Sequence, residues 1–94
     1  MKRTIQINKE DNCAVALTDL TKGETFHFDN IIVTLLEDIK QGHKFALQNI
    51  KSGENIIKYG TPIAHATANI QAGEHIHTHN VATNLSDILS YTYP

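Results

Sequence analysis

The residues with the clearest capacity for chemistry are three histidines that alternate within five positions. His75, His77 and His79 are separated by Ile76 and Thr78. Successive side chains of a β-strand point to opposite faces, so a strand here would line one face with all three imidazoles. Imidazole binds metals and anions and titrates near neutral pH. The pattern therefore predicts a metal site, a substrate contact or a group that transfers protons.

Within this run, His77 and His79 are the first candidates, either as metal ligands or as acid–base groups. Asn80 follows them and is the candidate for a contact with substrate. Positions i and i+4 of a strand lie roughly 13 Å apart, so three alternating side chains seldom converge on one ion. His75 is therefore expected to lie outside the site.

Two basic segments add further candidates. His43 and Lys44 follow a glycine, and Lys44 could hold a substrate carboxylate as a compact charge. Lys58 and Tyr59 end an apolar strand before Gly60, where a tight turn would direct an ammonium and a phenol toward an oxyanion. We expect all four side chains to contact substrate and the two lysines to be catalytic. The alternatives are an exposed turn lysine at Lys44, and a strand-end lysine with a half-buried tyrosine at Lys58 and Tyr59.

One turn that could position these residues occurs four times. It reads Asp or Asn, Leu or Ile, two variable residues, Gly, and Glu or His. The first residue is expected to cap a short helical turn, the aliphatic residue to anchor it in the core, and Gly to end it with positive φ. A short strand should follow each copy. The first to fourth turns cover residues 19–24, 38–43, 49–54 and 69–74.

The spacing of the turn glycines predicts an internal duplication. Gly23 and Gly53 are 30 residues apart, and Gly42 and Gly73 are 31 apart. Paired spacing and many short strands indicate a small all-β fold with a pseudo-two-fold axis and short helical turns. Strands are predicted at 4–7, 14–17, 24–28, 31–34, 44–47, 55–59, 62–67 and 75–79, and a short terminal helix at 84–89.

Composition sets limits on the class of protein. The 94 residues fit one domain, and a net charge of −2 provides no electrostatic footprint for nucleic acid. No apolar stretch approaches the ~20 residues that span a bilayer. A single cysteine excludes an intrachain disulfide framework and is compatible with the cytoplasm. We expect a cytoplasmic protein that binds neither nucleic acid nor membrane.

Two residues of reactive type are expected to be structural. His27 lies between Phe26 and Phe28 and should face solvent opposite them. Cys13 has no cationic neighbour in the sequence and should be a small packing residue.

The turns, together with residues 42–44, 58–60 and 75–80, resemble the SAF domain of the altronate/galactarate dehydratases, which is a small N-terminal domain or a separate subunit. The similarity covers nearly the whole chain, including residues 11–20 and the tail from Asn84 to Pro94. It implies a β-clip fold for residues 1–83. It also implies that 84–94 form a tail or linker toward a large catalytic domain or subunit.

The resemblance also implies a function. Such enzymes eliminate water from a sugar acid to give a 2-keto-3-deoxy acid. They are expected to use a divalent metal, with Fe²⁺ as the first candidate. His77 and His79 would be its ligands, and the chain alone would be inactive. The alternatives are a small subunit of sulfolactate sulfo-lyase, which releases sulfite, a non-catalytic SAF module that binds carbohydrate, and a pH- or metal-sensing scaffold. The sequence leaves open whether several copies of the chain assemble into a homo-oligomer.

One segment departs from the family pattern. Where the family reads Ile-Gly-x-Ala-Thr, this chain has Ile63-Ala64-His65-Ala66-Thr67. Either the backbone at Ala64 is ordinary or a neighbour approaches it differently, and His65 adds an imidazole without an assigned role. The departure bears on the identity of the substrate rather than on the fold.

Overall fold

The computed structural model describes residues 2–84, and every regular element in this part of the chain is a β-strand. The all-β prediction is confirmed, but the repeated segments form hydrogen-bonded turns rather than helical ones. No helix in this range is long and apolar enough to cross a membrane. The strands are β1 (Thr4–Ile5), β2 (Cys13–Ala16), β3 (Thr25–Phe28), β4 (Ile31–Thr34), β5 (Lys44–Ala46), β6 (Asn55–Lys58), β7 (Thr61–Ala66), β8 (His75–Ile76) and β9 (Val81–Thr83).

The strands form three antiparallel sheets. The central sheet has the order β1-β2-β5-β8, β3 pairs with β4 as a hairpin, and the third sheet has the order β6-β7-β9. β5 and β8 are neighbours although more than 25 residues separate them in sequence. This pairing places the second turn, which precedes β5, next to the fourth turn, which precedes β8.

The predicted duplication is present as two halves, each with one hairpin and two paired turns. Leu20 of the first turn bridges Ile39 of the second, and Ile50 of the third bridges Ile70 of the fourth. In both bridges the two residues exchange backbone hydrogen bonds of 2.7–3.0 Å. All four anchors are buried, as expected for the aliphatic position of the turn.

The capping residues of the turns act across each pair, and the prediction that they cap their own turn is wrong. Asp19 of the first turn accepts a hydrogen bond from the Gln41 amide of the second at 2.9 Å. In return, Asp38 of the second turn accepts a hydrogen bond from a backbone amide of the first turn at 2.8 Å. Asn49 and Asn69 do the same in the other pair, at 3.0 and 2.9 Å. Each carboxylate or amide oxygen therefore ties two turns together.

A β-bulge accounts for the difference between the two glycine spacings. In the β6–β7 hairpin Ile56 faces Ala64, whereas Ile57 faces Pro62, so Ile63 is an extra residue on β7. The β3–β4 hairpin has no such shift. One inserted residue in the second half lengthens the repeat from 30 to 31 after this point.

Two apolar clusters form the core, and the central sheet separates them. Phe45 on β5 packs in the first cluster between Phe26 and Phe28, whose ring centroids lie 6.3 and 6.1 Å away. Ala46, the next residue, packs in the second cluster with Ile56 and residues of the third and fourth turns. Adjacent residues of one strand thus serve the two halves, as strand alternation requires.

The strand predictions differ from the structure mainly near the C-terminus. β8 ends at Ile76, so the strand predicted at 75–79 is wrong, and the chain turns at 77–80. β9 was not predicted. Of the predicted helix at 84–89 and the tail at 84–94, only Asn84 belongs to the described residues.

Candidate active site: a histidine array

The histidine run lies at the end of β8 and in the turn that follows it. The backbone amides of Asn80 and Val81 donate to the carbonyl of His77, at 3.0 and 3.2 Å. Because of this turn, β8 is only two residues long. The alternation of His75, His77 and His79 therefore does not place three rings along a flat strand face.

His43 from the second turn joins two of these histidines. Its ring stacks against those of His75 and His77, with centroid distances of 5.0 and 4.8 Å and interplanar angles of 26° and 24°. The rings of His75 and His77 are 5.4 Å apart. We refer to His43, His75 and His77 as the histidine array. It exists because β5 pairs with β8.

The array brings together three ring nitrogens of a type that can ligate a metal. One ring nitrogen from each member lies within 4.8 Å of the others, and Nδ1 of His43 is 2.9 Å from Nε2 of His75. His75, which the sequence placed outside the predicted site, contributes one of the three nitrogens of this array. His79 lies at the edge, with its ring 5.6 Å from that of His75 and tilted by 40°.

The environment favours the neutral form of His75. Burial lowers its pKa below the ordinary 6.5, and the positive charge of a protonated His43 would lower it further. Glu37 opposes this shift and also accepts a hydrogen bond from the His75 backbone amide at 3.0 Å. A neutral imidazole keeps a lone pair free for a metal or a proton.

The depressed pKa of His75 predicts a loss of stability in acid. As pH falls through the ordinary value of 6.5, the unfolded chain gains a proton that the folded His75 resists, so the free energy of unfolding should decrease. Urea unfolding between about pH 7 and about pH 5, with a chelator present, measures this change. His75→Gln should show a smaller decrease. An identical pH dependence in the variant and the parent would contradict the assignment.

Lys44 does not join the array. It pairs with Ile76 across the β5–β8 ladder, whereas His75 pairs with Phe45. Residues directly opposite in a ladder share a face, and neighbours along a strand do not. Lys44 and His75 therefore lie on opposite faces of the central sheet.

Lys58 and Tyr59 lie at the tip of the β6–β7 hairpin, in the third sheet. The Lys58 ammonium lies 5.0 Å from the centre of the Tyr59 ring. Asp11, only 4% exposed, accepts hydrogen bonds from the backbone amides of Tyr59 and Gly60 at 3.1 and 2.7 Å. Asp11 fixes this tip from 48 residues away, a contact that no local pattern shows.

The departure from the family pattern at Ala64 is compatible with an ordinary backbone. Positive φ among the non-glycine residues described occurs at Asp29 and Tyr59, not at Ala64, which is buried in the second cluster. His65 makes a hydrogen bond of 3.1 Å between its Nδ1 and Oδ1 of Asn84. It belongs to β7 and is outside the array.

The two residues expected to be structural behave as predicted. His27 is exposed and, with Lys2 and Lys9, lines a cavity of about 450 Å³ beside β1, the edge of the central sheet opposite to β8. Cys13 is buried, and burial raises the pKa of its thiol to about 11. The thiol is thus protonated at neutral pH.

Comparison with known proteins identifies the class. The family model of the altronate/galactarate dehydratase SAF domain matches residues 2–84, so the chain belongs to this family. It is 53% identical over 93 residues to altronate dehydratase of Bacillus subtilis and 54% identical over 89 residues to that of Escherichia coli. These matches cover 99% and 95% of this chain but 19% and 18% of the relatives. The chain spans less than a fifth of their length.

A shorter relative matches part of the chain. The alpha subunit of (2R)-sulfolactate sulfo-lyase from Paracoccus pantotrophus is 41% identical over 51 residues, which is 54% of this chain and 76% of that subunit. The resemblance inferred from the turns and the basic segments is confirmed by both sets of relatives.

Proposed function

We propose that this chain is the SAF domain of a sugar-acid dehydratase and that its histidine array forms part of the active site. The reaction is the elimination of water from a hydroxy acid to give a 2-keto-3-deoxy acid. The strongest support is the position of His43 within the repeated turn.

Three of the four turns carry glutamate where the second carries histidine. Glu24, Glu54 and Glu74 each accept a hydrogen bond from the backbone amide three residues earlier, at 2.7, 2.7 and 3.0 Å. His43 occupies that position in the second turn, and its ring stacks in the array instead. A turn hydrogen bond contributes about 1 kcal/mol. The second turn, whose following strand β5 pairs with β8, forgoes this bond, and that supports a functional role.

The array fits a divalent metal by its donor chemistry. Three imidazoles with nitrogens within 4.8 Å of one another suit iron, zinc and similar ions, and His75 is held neutral. We propose that His43, His75 and His77 hold the ion, with Fe²⁺ as the first candidate. Relative to the sequence prediction, His77 is kept and His79 is replaced by the other two. The ion would supply a Lewis acid that polarises an oxygen of the substrate.

The proposed elimination also requires proton transfer. Elimination needs a base for the proton next to the carboxylate and an acid for the departing hydroxyl. His77 and His79 are exposed, so they can face a substrate held against this surface. We propose His79 as the acid–base group beside the array. Lys58 and Tyr59 stay candidates for oxyanion contacts at their hairpin tip, whereas Lys44 lies across the sheet from the array.

A larger domain or subunit is proposed to complete the pocket. The dehydratase relatives are more than five times as long as the region matched, and the sulfo-lyase relative is itself a subunit. The chain alone should therefore show no elimination activity, and its proposed location is the cytoplasm. Release of sulfite from a sulfolactate is the second candidate reaction, because of the match to that subunit. Assaying both substrates separates the two.

Replacing His43 with glutamine should separate stability from function. Glutamine can restore the missing hydrogen bond within the second turn, so the free energy of unfolding should stay the same or rise by up to about 1 kcal/mol. Metal affinity should fall at least about tenfold, since even residues that only support a ligand cost that much. Urea unfolding and metal titration measure the two effects. His27→Gln is the matched control, and a His43→Gln variant that keeps full affinity would refute the site.

A further inference from the structure

We propose that Asn80 is a positioning residue that holds the histidine array in register, rather than a substrate contact. The inference concerns the site of the proposed function and deepens it. It rests on the hydrogen bonds of the Asn80 side chain, on its burial and on a second anchor that Glu37 supplies.

Both ends of the Asn80 amide are used within the turn at residues 77–80, which we call the histidine turn. Its Oδ1 accepts from the His77 backbone amide at 3.0 Å, and its Nδ2 donates to the His75 carbonyl at 2.7 Å. The residue is only 3% exposed. A buried amide with both ends paired has little left to offer a ligand.

Glu37 secures the other side of the same peptide segment. Its Oε2 accepts from the His75 backbone amide at 3.0 Å. The neighbouring Leu36 donates its backbone amide to the Gly73 carbonyl at 2.9 Å. The main chain of His75 is thus held at its N–H by Glu37 and at its C=O by Asn80.

These contacts matter because β8 is only two residues long. A strand this short cannot direct a ring that lies beyond its end. His77 lies in the turn, and its ring is 4.8 Å from that of His43. Without Asn80, the carbonyl of His75 and the amide of His77 lose their partners, and the turn can rotate the His77 ring out of the array.

Asn12 provides a matched control elsewhere in the chain. It is 9% exposed, its Oδ1 accepts from the Ile57 amide at 2.8 Å, and its Nδ2 donates to the Asn55 carbonyl at 2.9 Å. It clamps β6 in the way that Asn80 clamps the histidine turn. Loss of either amide should lower stability, but only Asn80 should affect the array.

The test compares Asn80→Ala with Asn12→Ala in the metal-free chain and with Co²⁺ as the probe. The urea concentration at the midpoint of unfolding should fall by a similar amount in both variants. Only Asn80→Ala should lose the nuclear Overhauser contacts between the ring protons of His43 and His77, and its Co²⁺ affinity should fall about tenfold or more. Asn80→Asp, which keeps the acceptor for His77 and loses the donor to His75, should show the same loss in a milder form.

Persistence of the ring contacts in both Asn80 variants would overturn the positioning role, and so would an equal loss in Asn12→Ala. If Asn80→Ala does not fold, the Asn80→Asp result decides. A parent chain that binds no Co²⁺ but shows the ring contacts, lost only on changing Asn80, would leave the positioning role standing. The metal proposal alone would then fail.

Discussion

Replacing Gly73 with alanine is expected to cost roughly 3–5 kcal/mol of folding free energy, a large part of the total for a domain of this size. Gly73 has φ of +88°, and a Cβ built there would lie 2.1 Å from the backbone oxygen of Thr34. That oxygen cannot move away as the end of a side chain could. Urea unfolding measures the loss.

The control is the pseudo-symmetric glycine of the second turn. Gly42 has nearly the same φ, +85°, and nothing lies within 4 Å of a Cβ there. Gly42→Ala should therefore show only the cost of left-handed backbone, about 1–2 kcal/mol. Equal losses in the two variants would mean that contact with Thr34 plays no part.

Metal affinity is expected to fall strongly when a histidine of the array is replaced and to change little when His79 is replaced. Three nitrogens within 4.8 Å come from His43, His75 and His77. Alanine at any of the three should weaken binding of Fe²⁺ or Co²⁺ by about 100-fold or more, above the range for residues that only support a ligand. His79→Ala and His27→Ala should change it by less than about threefold. Isothermal titration of each variant measures the affinities.

This experiment also separates the structural assignment from the interpretation based on alternation. Ligands at His77 and His79, with His75 outside, would give full affinity in His75→Ala and a large loss in His79→Ala. That outcome would contradict the array. A loss shared by all four histidines would indicate a wider, less specific site.

The repeated turn was predictable because its chemistry is local. A glycine with positive φ and an aliphatic anchor leave a recognisable spacing, and all four turn glycines have φ between +85° and +93°. The spacings of 30 and 31 residues between the paired turn glycines also indicated the internal duplication. The partners of the capping residues were not predictable, since Asp19 reaches a turn 22 residues away.

The array was predictable only in part. Alternation drew attention to the segment that holds His75 and His77, but it placed His75 outside the site and assumed a strand that the turn at residues 77–80 interrupts. His43 joins through the pairing of β5 with β8, across 32 residues of sequence. One available signal was its place in the turn, where the other three copies have glutamate. The clamps by Asp11 and Glu37 are equally long-range and left no local pattern.

We propose above all that the array belongs to the active site of a hydro-lyase. The most direct test measures formation of the 2-keto product from altronate by this chain together with the large domain or subunit proposed to complete the site. We expect a His75→Gln, His77→Gln double variant to lose about 10²–10⁴-fold in kcat/KM, while His27→Gln keeps the parent value. A folded double variant that eliminates water at the parent rate would contradict the claim.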